Sequence, residues 1–431
     1  MKKIVLSLII FLSLHGVHAQ SLSIQEAYER LDQSLRYQQD QAQTQISREE
    51  YREILQNRLP VFYVDAQLQR NLITPTTPVP AIAFDPSAAE GDIIPLKFAT
   101  NWSSRVGVQL EWNLFNPRRI AEEQEQLLTI EKAELQEQES AQDWKRDLTL
   151  AYASVVLATQ QYEVALQDSA TYAVILATSQ ARTEEGRELP ASYLSAQQEF
   201  ERKRIQLHEA WSVLVDADLE LRRYVDLSET MHLSTDIAGI TDFVSGPSQI
   251  NYTLRSLEID QQITQVQQQD TRRSLLPSLS FNGYIGEQFY SNELRLFQEG
   301  RWFGNSYVNL SLQIPLSAYI TAQPTFRKLA QSYELQNLSI QEERRADEIN
   351  RQQQTNQIKA VQQKLARLRQ IAALSAELKE LNEASYVAGR LLISDYNQSL
   401  SDHFQAQQDV WQAEYDLIQL MVESIAVEDS F

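Results

Sequence analysis

Four stretches of the chain alternate strictly between apolar and polar side chains. In residues 60–72 the apolar set is Phe62, Val64, Ala66, Leu68 and Leu72, with Tyr63, Asp65, Gln67, Gln69 and Asn71 between them. In residues 105–114 it is Val106, Val108, Leu110, Trp112 and Leu114, separated by Arg105, Gly107, Gln109, Glu111 and Asn113. Leu279, Phe281 and Ile285 alternate with Ser278, Ser280, Asn282 and Tyr284, and Val308, Leu310, Leu312, Ile314 and Leu316 alternate with Asn309, Ser311 and Gln313. Successive side chains of a strand point to opposite faces, so about ten such residues make one face for lipid and one for water. A half-buried sheet in a soluble protein carries the same pattern, and alternation alone leaves both open. On the membrane reading, Asp65, Gln67, Gln109, Glu111 and Gln313 line a water-filled lumen.

Most of the remaining chain is patterned as helix. Between Pro117 and about Arg182 there is no Gly and no further Pro, enough at ~1.5 Å per residue for on the order of 100 Å of helix. A heptad runs through it. Ala141, Leu148, Val155, Tyr162, Ser169 and Leu176 form one column, and Trp144, Ala151, Ala158, Ala165 and Tyr172 the other. Small residues in such columns suit close helix packing. A second long helix, opened near Pro324, carries Ile358, Val361, Leu365, Leu368, Ile371, Leu374, Leu378 and Leu381. An ordinary coiled coil has such heptads too, but not strand pairs recurring at matching places.

That recurrence shows that the chain is written twice. Leu59-Pro60 and Leu276-Pro277 each end a polar helical stretch. After each come a strand, a loop, a second strand and a long helical segment interrupted by Gly-Arg. The interruptions are Glu185-Gly186-Arg187-Glu188-Leu189 and Ala388-Gly389-Arg390-Leu391-Leu392, with Tyr193 and Tyr396 following. A lone Gly among strong helix formers marks a C-cap or tight turn, so each is expected to be the tip of a helical hairpin. The organisation expected is a leader over 1–19, a first-repeat helix over 20–59 and a strand hairpin over 60–115. A long helical hairpin over 116–227 follows, with its tip at 183–190, then a connector over 228–249. The second repeat places a helix at 250–276, strands at 277–316 and a helical hairpin at 317–431 with its tip at 386–393. The segments 73–104, rich in Pro, and 291–304 are expected as external loops.

The leader rests on Lys2 and Lys3, an apolar run from Ile4 to Leu14 and a small-residue cleavage pattern at Val17-His18-Ala19. Gln20 rather than Cys follows, which argues against a lipoprotein. No later run of about 18 apolar residues suggests a spanning helix. The product is an exported protein: periplasmic, secreted, or held in an outer membrane as β-structure. Four strands cannot close a barrel, since the smallest use about eight, and an open edge in lipid leaves backbone groups unpaired. Membrane insertion therefore requires several protomers to share one barrel.

Composition narrows the chemistry. The 431 residues contain no Cys, which excludes disulfides and thiolate sites. Only 5 His are present, too scattered for a His-rich metal centre, and no cofactor is expected. The 58 Asp+Glu against 38 Lys+Arg give a net charge of −20, which argues against nucleic-acid binding. Glu184-Glu185 could in principle serve acid–base chemistry, but it lies on an expected solvated tip, and the chain does not read as an enzyme. Glu122-Glu123-Gln124-Glu125 reads as a solvated helix face.

The leader, the Leu-Pro joints and the two copies of helix, strand hairpin, long helix, Gly turn and helix together resemble the TolC family of outer-membrane channel proteins, over nearly the whole mature chain. The resemblance implies an α+β membrane protein in which a long-helix α-barrel continues into a transmembrane β-barrel. It implies a homotrimer giving four strands per protomer to one twelve-stranded barrel, set in the outer-membrane lipid of a Gram-negative bacterium, with helices in the periplasm. Such proteins are passive exit ducts of tripartite efflux pumps or type I secretion systems, working with a periplasmic adaptor (membrane fusion protein) and an inner-membrane transporter. The resemblance places adaptor docking at Gly186, Arg187, Leu189, Gly389, Arg390 and Leu392. It places Asp395 at the pore entrance and Tyr386 in an entrance latch. Ser192 stands where a latch partner could be acidic, and Arg390 directly follows its Gly, two departures that leave the latch contacts open. A periplasmic coiled-coil adaptor or scaffold without a pore is the alternative reading.

Overall fold

The computed structural model describes residues 21–225, 232–244, 250–297 and 299–423; the expected leader lies outside the described residues. In chain order the elements begin with β1 (Ser21–Leu22), α1 (Ile24–Tyr28), α2 (Leu35–Gln56), β2 (Val61–Arg70), β3 (Thr77–Pro80), β4 (Ile93–Leu96) and β5 (Trp102–Phe115). Then come α3 (Arg119–Glu184), α4 (Pro190–Leu221), β6 (His232–Leu233), α5 (Ile237–Val244) and α6 (Tyr252–Arg273). The chain finishes with β7 (Ser278–Ser291), β8 (Trp302–Gln313), α7 (Ala318–Val387) and α8 (Ile393–Val422). Two compact units are distinguishable: a strand-bearing unit of residues 44–133 and 256–341, and a helical unit formed by the rest.

In the strand-bearing unit, β2, β5, β7 and β8 form one antiparallel sheet in that order. Both helix-to-strand joints are tied by an aromatic side chain from the far side of their own strand hairpin. Trp112 Nε1 donates to the carbonyl of Arg58 at 2.9 Å, one residue before Leu59-Pro60. Tyr319 donates its hydroxyl to the carbonyl of Leu275 at 2.9 Å, one residue before Leu276-Pro277. The Arg118 guanidinium forks onto Asp270, with Nε–Oδ1 at 3.0 Å and Nη2–Oδ2 at 2.8 Å. Arg58 forks in the same way onto Glu123.

Several boundaries differ from those the alternation suggested. β2 stops at Arg70, so Leu72 lies beyond the strand. β8 stops at Gln313, leaving Ile314 and Leu316 outside, because Pro315 has no N–H to continue the ladder. β5 begins at Trp102 and β7 runs to Ser291, so both loops are shorter than the expected 73–104 and 291–304. The first loop is also not structureless: β3 and β4 pair antiparallel within it. α7 opens at Ala318, with Pro324 inside its second turn rather than at its start. The stretch expected as a connector carries β6 and the apolar α5, whose Ile237, Ile240 and Val244 are buried.

The helical unit packs around Leu148, Tyr152, Leu221, Ile240 and Ile418. β1 pairs in parallel with β6. The buried Tyr152 fastens this clasp, donating to the Leu22 carbonyl at 2.7 Å and accepting from the Thr235 N–H at 3.1 Å. In α3 the column Trp144, Ala151, Ala158, Ala165 and Tyr172 is buried throughout and continues to Ser179. The companion column is buried at Ala141, Leu148 and Val155 but only half-buried at Tyr162, Ser169 and Leu176. A straight helix drifts by ~20° per heptad, which turns that column outward. In α7 the apolar heptad is buried within the chain only at Leu365; Ile371, Leu374, Leu378 and Leu381 are each at least half exposed. Among the described residues no helix is long and apolar enough to cross a membrane.

Candidate lumen face and helical tips

The register of the sheet sorts its side chains into two faces. Val64, Val108 and Ile285 are directly opposite one another across β2, β5 and β7, and Phe62, Leu110 and Gly283 form the next row, continued on β8 by Val308. This face is predominantly apolar and open, with Val64 73% exposed, Ile285 68% and Val308 75%, and it is interrupted by Glu287 opposite Val106 and Ser306 opposite Ile285. Asp65, Gln67, Gln109, Glu111 and Gln313 all fall on the other face. Two hydrogen-bonded groups hold Asp65 and the pair Gln109 and Glu111, while Gln67 is placed by register alone. Arg105, opposite Gln67, donates from Nε to Asp65 Oδ2 at 2.9 Å. Glu111 accepts from the Tyr63 hydroxyl at 2.6 Å and from Gln109 Nε2 at 3.1 Å. Gln313 is apart from both groups, at the last residue of β8, opposite Ser278. Within the chain, β2 and β8 each have one neighbour, so the sheet has two open edges.

At the tips the two repeats end their long helices identically. Gly186 has φ +73° and Gly389 φ +71°, the left-handed conformation that glycine adopts without a Cβ clash. The Gly186 N–H donates to the Thr183 carbonyl at 3.0 Å and the Arg187 N–H to the Arg182 carbonyl at 2.8 Å. The Gly389 N–H donates to Tyr386 at 3.0 Å and the Arg390 N–H to Ser385 at 2.9 Å. These paired bonds are the Schellman motif, which satisfies carbonyls a helix end would otherwise leave free. Leu189 and Leu392 then cap α4 and α8 in extended conformation, and both side chains are about seven-tenths exposed, at 72% and 71%. Arg187 and Arg390 are exposed as well.

Tyr386 is not at an open surface. Its ring is buried and stacks on Tyr396 at 5.3 Å, beside Tyr172, Ile175 and Leu400, and the Arg182 guanidinium lies over it, 5.2 Å from its centre. Burial pushes the Tyr386 phenol above its ordinary range and takes Tyr396 up to about 12. Asp395 is exposed in the first turn of α8, where the helix dipole favours a carboxylate. Tyr193, the first-repeat counterpart of Tyr396, is only half-buried.

Two polar features were not visible in the sequence. Lys203 is buried against Asp168, Tyr172 and Phe404; nothing in the heptad distinguishes it from a solvated lysine. Arg105 lies over the ring of Tyr284, which itself covers Gly107 and Gly286. Two glycines inside alternating strands were the available signal, since such positions mark close approach of another group.

No protein-family model matches the chain, and no curated protein matches it. Solved structures do. The open state of the Neisseria gonorrhoeae MtrE outer membrane channel aligns with a TM-score of 0.68 at 14% identity, over 95% of this chain and 92% of that one. The outer-membrane channel OprN aligns with a TM-score of 0.68 at 13% identity, over 93% and 88%. The Vibrio cholerae outer membrane protein VceC aligns at 0.64 and 12% identity, over 93% and 94%. This is the TolC-like outer-membrane channel fold. The coverage from both sides means that the channel fold accounts for the strand-bearing unit and the helical unit alike. At such identities the alignment carries the fold, while the side chains of lumen and tips are this chain's own.

Proposed function

We propose that this protein is a passive exit duct of the outer membrane, conducting solutes outward as the terminal part of an efflux pump or type I secretion system. The observation that carries this reading is the sheet, with one face predominantly apolar and open, the other polar and hydrogen-bonded, and both edges unpaired within the chain. Such a sheet is unstable in water and, alone, unstable in lipid. Both problems are solved when copies of the chain close a common barrel. The open heptad of α7, Ile371-Leu374-Leu378-Leu381, offers a second surface for the same partner, and a homotrimer with twelve strands is the assembly proposed. The channels sharing the fold support this reading. Energy is supplied by an inner-membrane transporter, joined through a periplasmic adaptor docked at the Gly186 and Gly389 tips, with Asp395 at the entrance.

The test is fractionation followed by cross-linking. The mature protein should remain with outer membranes through a high-salt wash, cross-link in mild detergent to three chains and no further, and form pores in planar bilayers. Recovery as a soluble periplasmic protein that forms no pores supports the scaffold reading instead.

A further inference from the structure

We propose that the polar face of the sheet carries a binding site for planar aromatic cations, built on Tyr307 and Phe303 over a platform made by Tyr284 and Arg105. The inference rests on the duct reading, because that reading makes this face a lumen.

Tyr63, Gln109, Tyr284 and Tyr307 are opposite one another in register and form one row across all four strands of the sheet. Three of four positions in a row facing water are therefore aromatic. The adjacent row on the same face is Asp65, Gly107, Gly286 and Asn305. Tyr284 folds sideways into the space left by the two glycines. A Cβ at Gly107 would stand 2.6 Å from Tyr284 Cζ, and one at Gly286 would stand 2.5 Å from its hydroxyl. The ring is thereby pressed against the backbone and only 3% exposed. Covering glycines with an aromatic ring stabilises a sheet, so Tyr284 has a structural role. The Arg105 guanidinium, held by Asp65, lies 5.2 Å from the centre of that ring. The result is a rigid, layered floor.

Tyr307 is different. Its ring lies beside Tyr284, with centroids 5.7 Å apart and planes at 24°, but it is 44% exposed. Four residues outward along β8, Phe303 is 55% exposed, beside Tyr290 at 6.4 Å. Open aromatic faces attract cations through the ring quadrupole. Among the strand residues of this face, Asp65 and Glu111 outnumber the single cation Arg105, which adds a negative bias. A flat cationic solute would stack on Tyr307 while the preset floor keeps the ring in place. In a barrel of several copies each protomer contributes such a site.

The experiment is block of single-channel current by the full-length protein in planar bilayers. The probes are 9-aminoacridine, flat and cationic, and tetrapropylammonium, equally charged without a ring. We expect 9-aminoacridine to block more strongly, and Tyr307→Leu with Phe303→Leu to weaken that block roughly fivefold relative to each pore's own open current. Tyr307→Phe keeps the ring and should keep the block. Equal block by both probes, or undiminished block in the double Leu variant, overturns the site while leaving the duct reading intact. A chain that forms no pores overturns the duct reading and the site with it.

Discussion

Lys203 Nζ lies 3.1 Å from Asp168 Oδ2, with the lysine side chain 8% exposed and the aspartate 15%. The pair joins α4 to α3, and the rings of Tyr172 on α3 and Phe404 on α8 lie 5.3 Å from the same ammonium. Three helices thus converge on one buried charge. Removing one partner of such a pair strands the other, which costs about 3–5 kcal/mol, whereas replacing both with apolar groups of similar volume is far milder. Asp168→Ala should lower the unfolding midpoint of the helical unit by that order. Asp168→Leu combined with Lys203→Met should recover most of it. A double-mutant cycle by denaturant unfolding checks this, and additive effects of the two sites would contradict it.

The tips give a prediction in which backbone and space separate cleanly. A Cβ at Gly186 or Gly389 meets nothing within 4 Å, so a substitution is opposed by the left-handed φ alone. For a β-branched residue that strain is about 1 kcal/mol or more per site. Gly186→Val with Gly389→Val should leave assembly and membrane level normal but displace Arg187, Leu189, Arg390 and Leu392, abolishing export. Gly→Asn at both sites should be nearly silent, because Asn tolerates this conformation. Export assays beside quantified membrane protein distinguish the cases; normal export by the Val pair would move adaptor docking away from the tips.

Much of this architecture was legible because two periods dominate the chain. Period two placed Val64, Val108, Leu310 and their neighbours on one face, and the two lone glycines marked the ends of both long helices, where each has a positive φ. The ends of strands were less legible: Ile314 continues the alternation but precedes Pro315, which ends the ladder. The α7 heptad was readable as helix but not as an open surface, since a stripe that meets its own chain and one that meets another copy are written alike. The surroundings of Tyr386 were illegible for a related reason. Its spacing from Gly389 marks the tip, but only the fold shows Tyr396 stacked against it. Lys203 and the Tyr284–Arg105 floor depend on contacts between distant segments, which periodicity does not encode.

Acid should loosen the helical unit through His403. This ring on α8 lies 3.1 Å from Ser375 Oγ on α7. Burial lowers its pKa from the ordinary 6.5, and Lys379 on α7 lowers it further, while Asp168 on α3 opposes them. The folded state thus binds the proton less readily than the unfolded one. No penalty exists well above pH 6.5; as pH falls through 6.5 the unfolded chain is protonated first, and stability declines until the folded pKa is passed. Thermal unfolding of the wild type should show this decline below pH 6.5. His403→Gln should flatten that part of the profile. An unchanged slope would mean that another group carries the acid sensitivity.

The two faces of the sheet can be tested with one residue type. Arg at Val108 or Leu310 would place a charge on the open apolar face, while Arg at the neighbouring Gln109 or at Gln313 would point to the polar side. Near the bilayer midplane an Arg on the lipid face costs roughly 2–4 kcal/mol, and in a lumen it stays solvated. Gln109→Arg also meets the carboxylate of Glu111, which Gln109 Nε2 already contacts at 3.1 Å, so its charge is partly compensated. Val108→Arg and Leu310→Arg should therefore reduce the heat-resistant, membrane-inserted fraction sharply. Gln109→Arg and Gln313→Arg should insert normally and instead shift ion selectivity toward anions. Because Val108 and Gln109 are sequence neighbours on one strand, an unspecific effect of arginine on β5 would harm both equally. Such equal harm would mean that the sheet is covered on both faces by protein and does not stand between lipid and water.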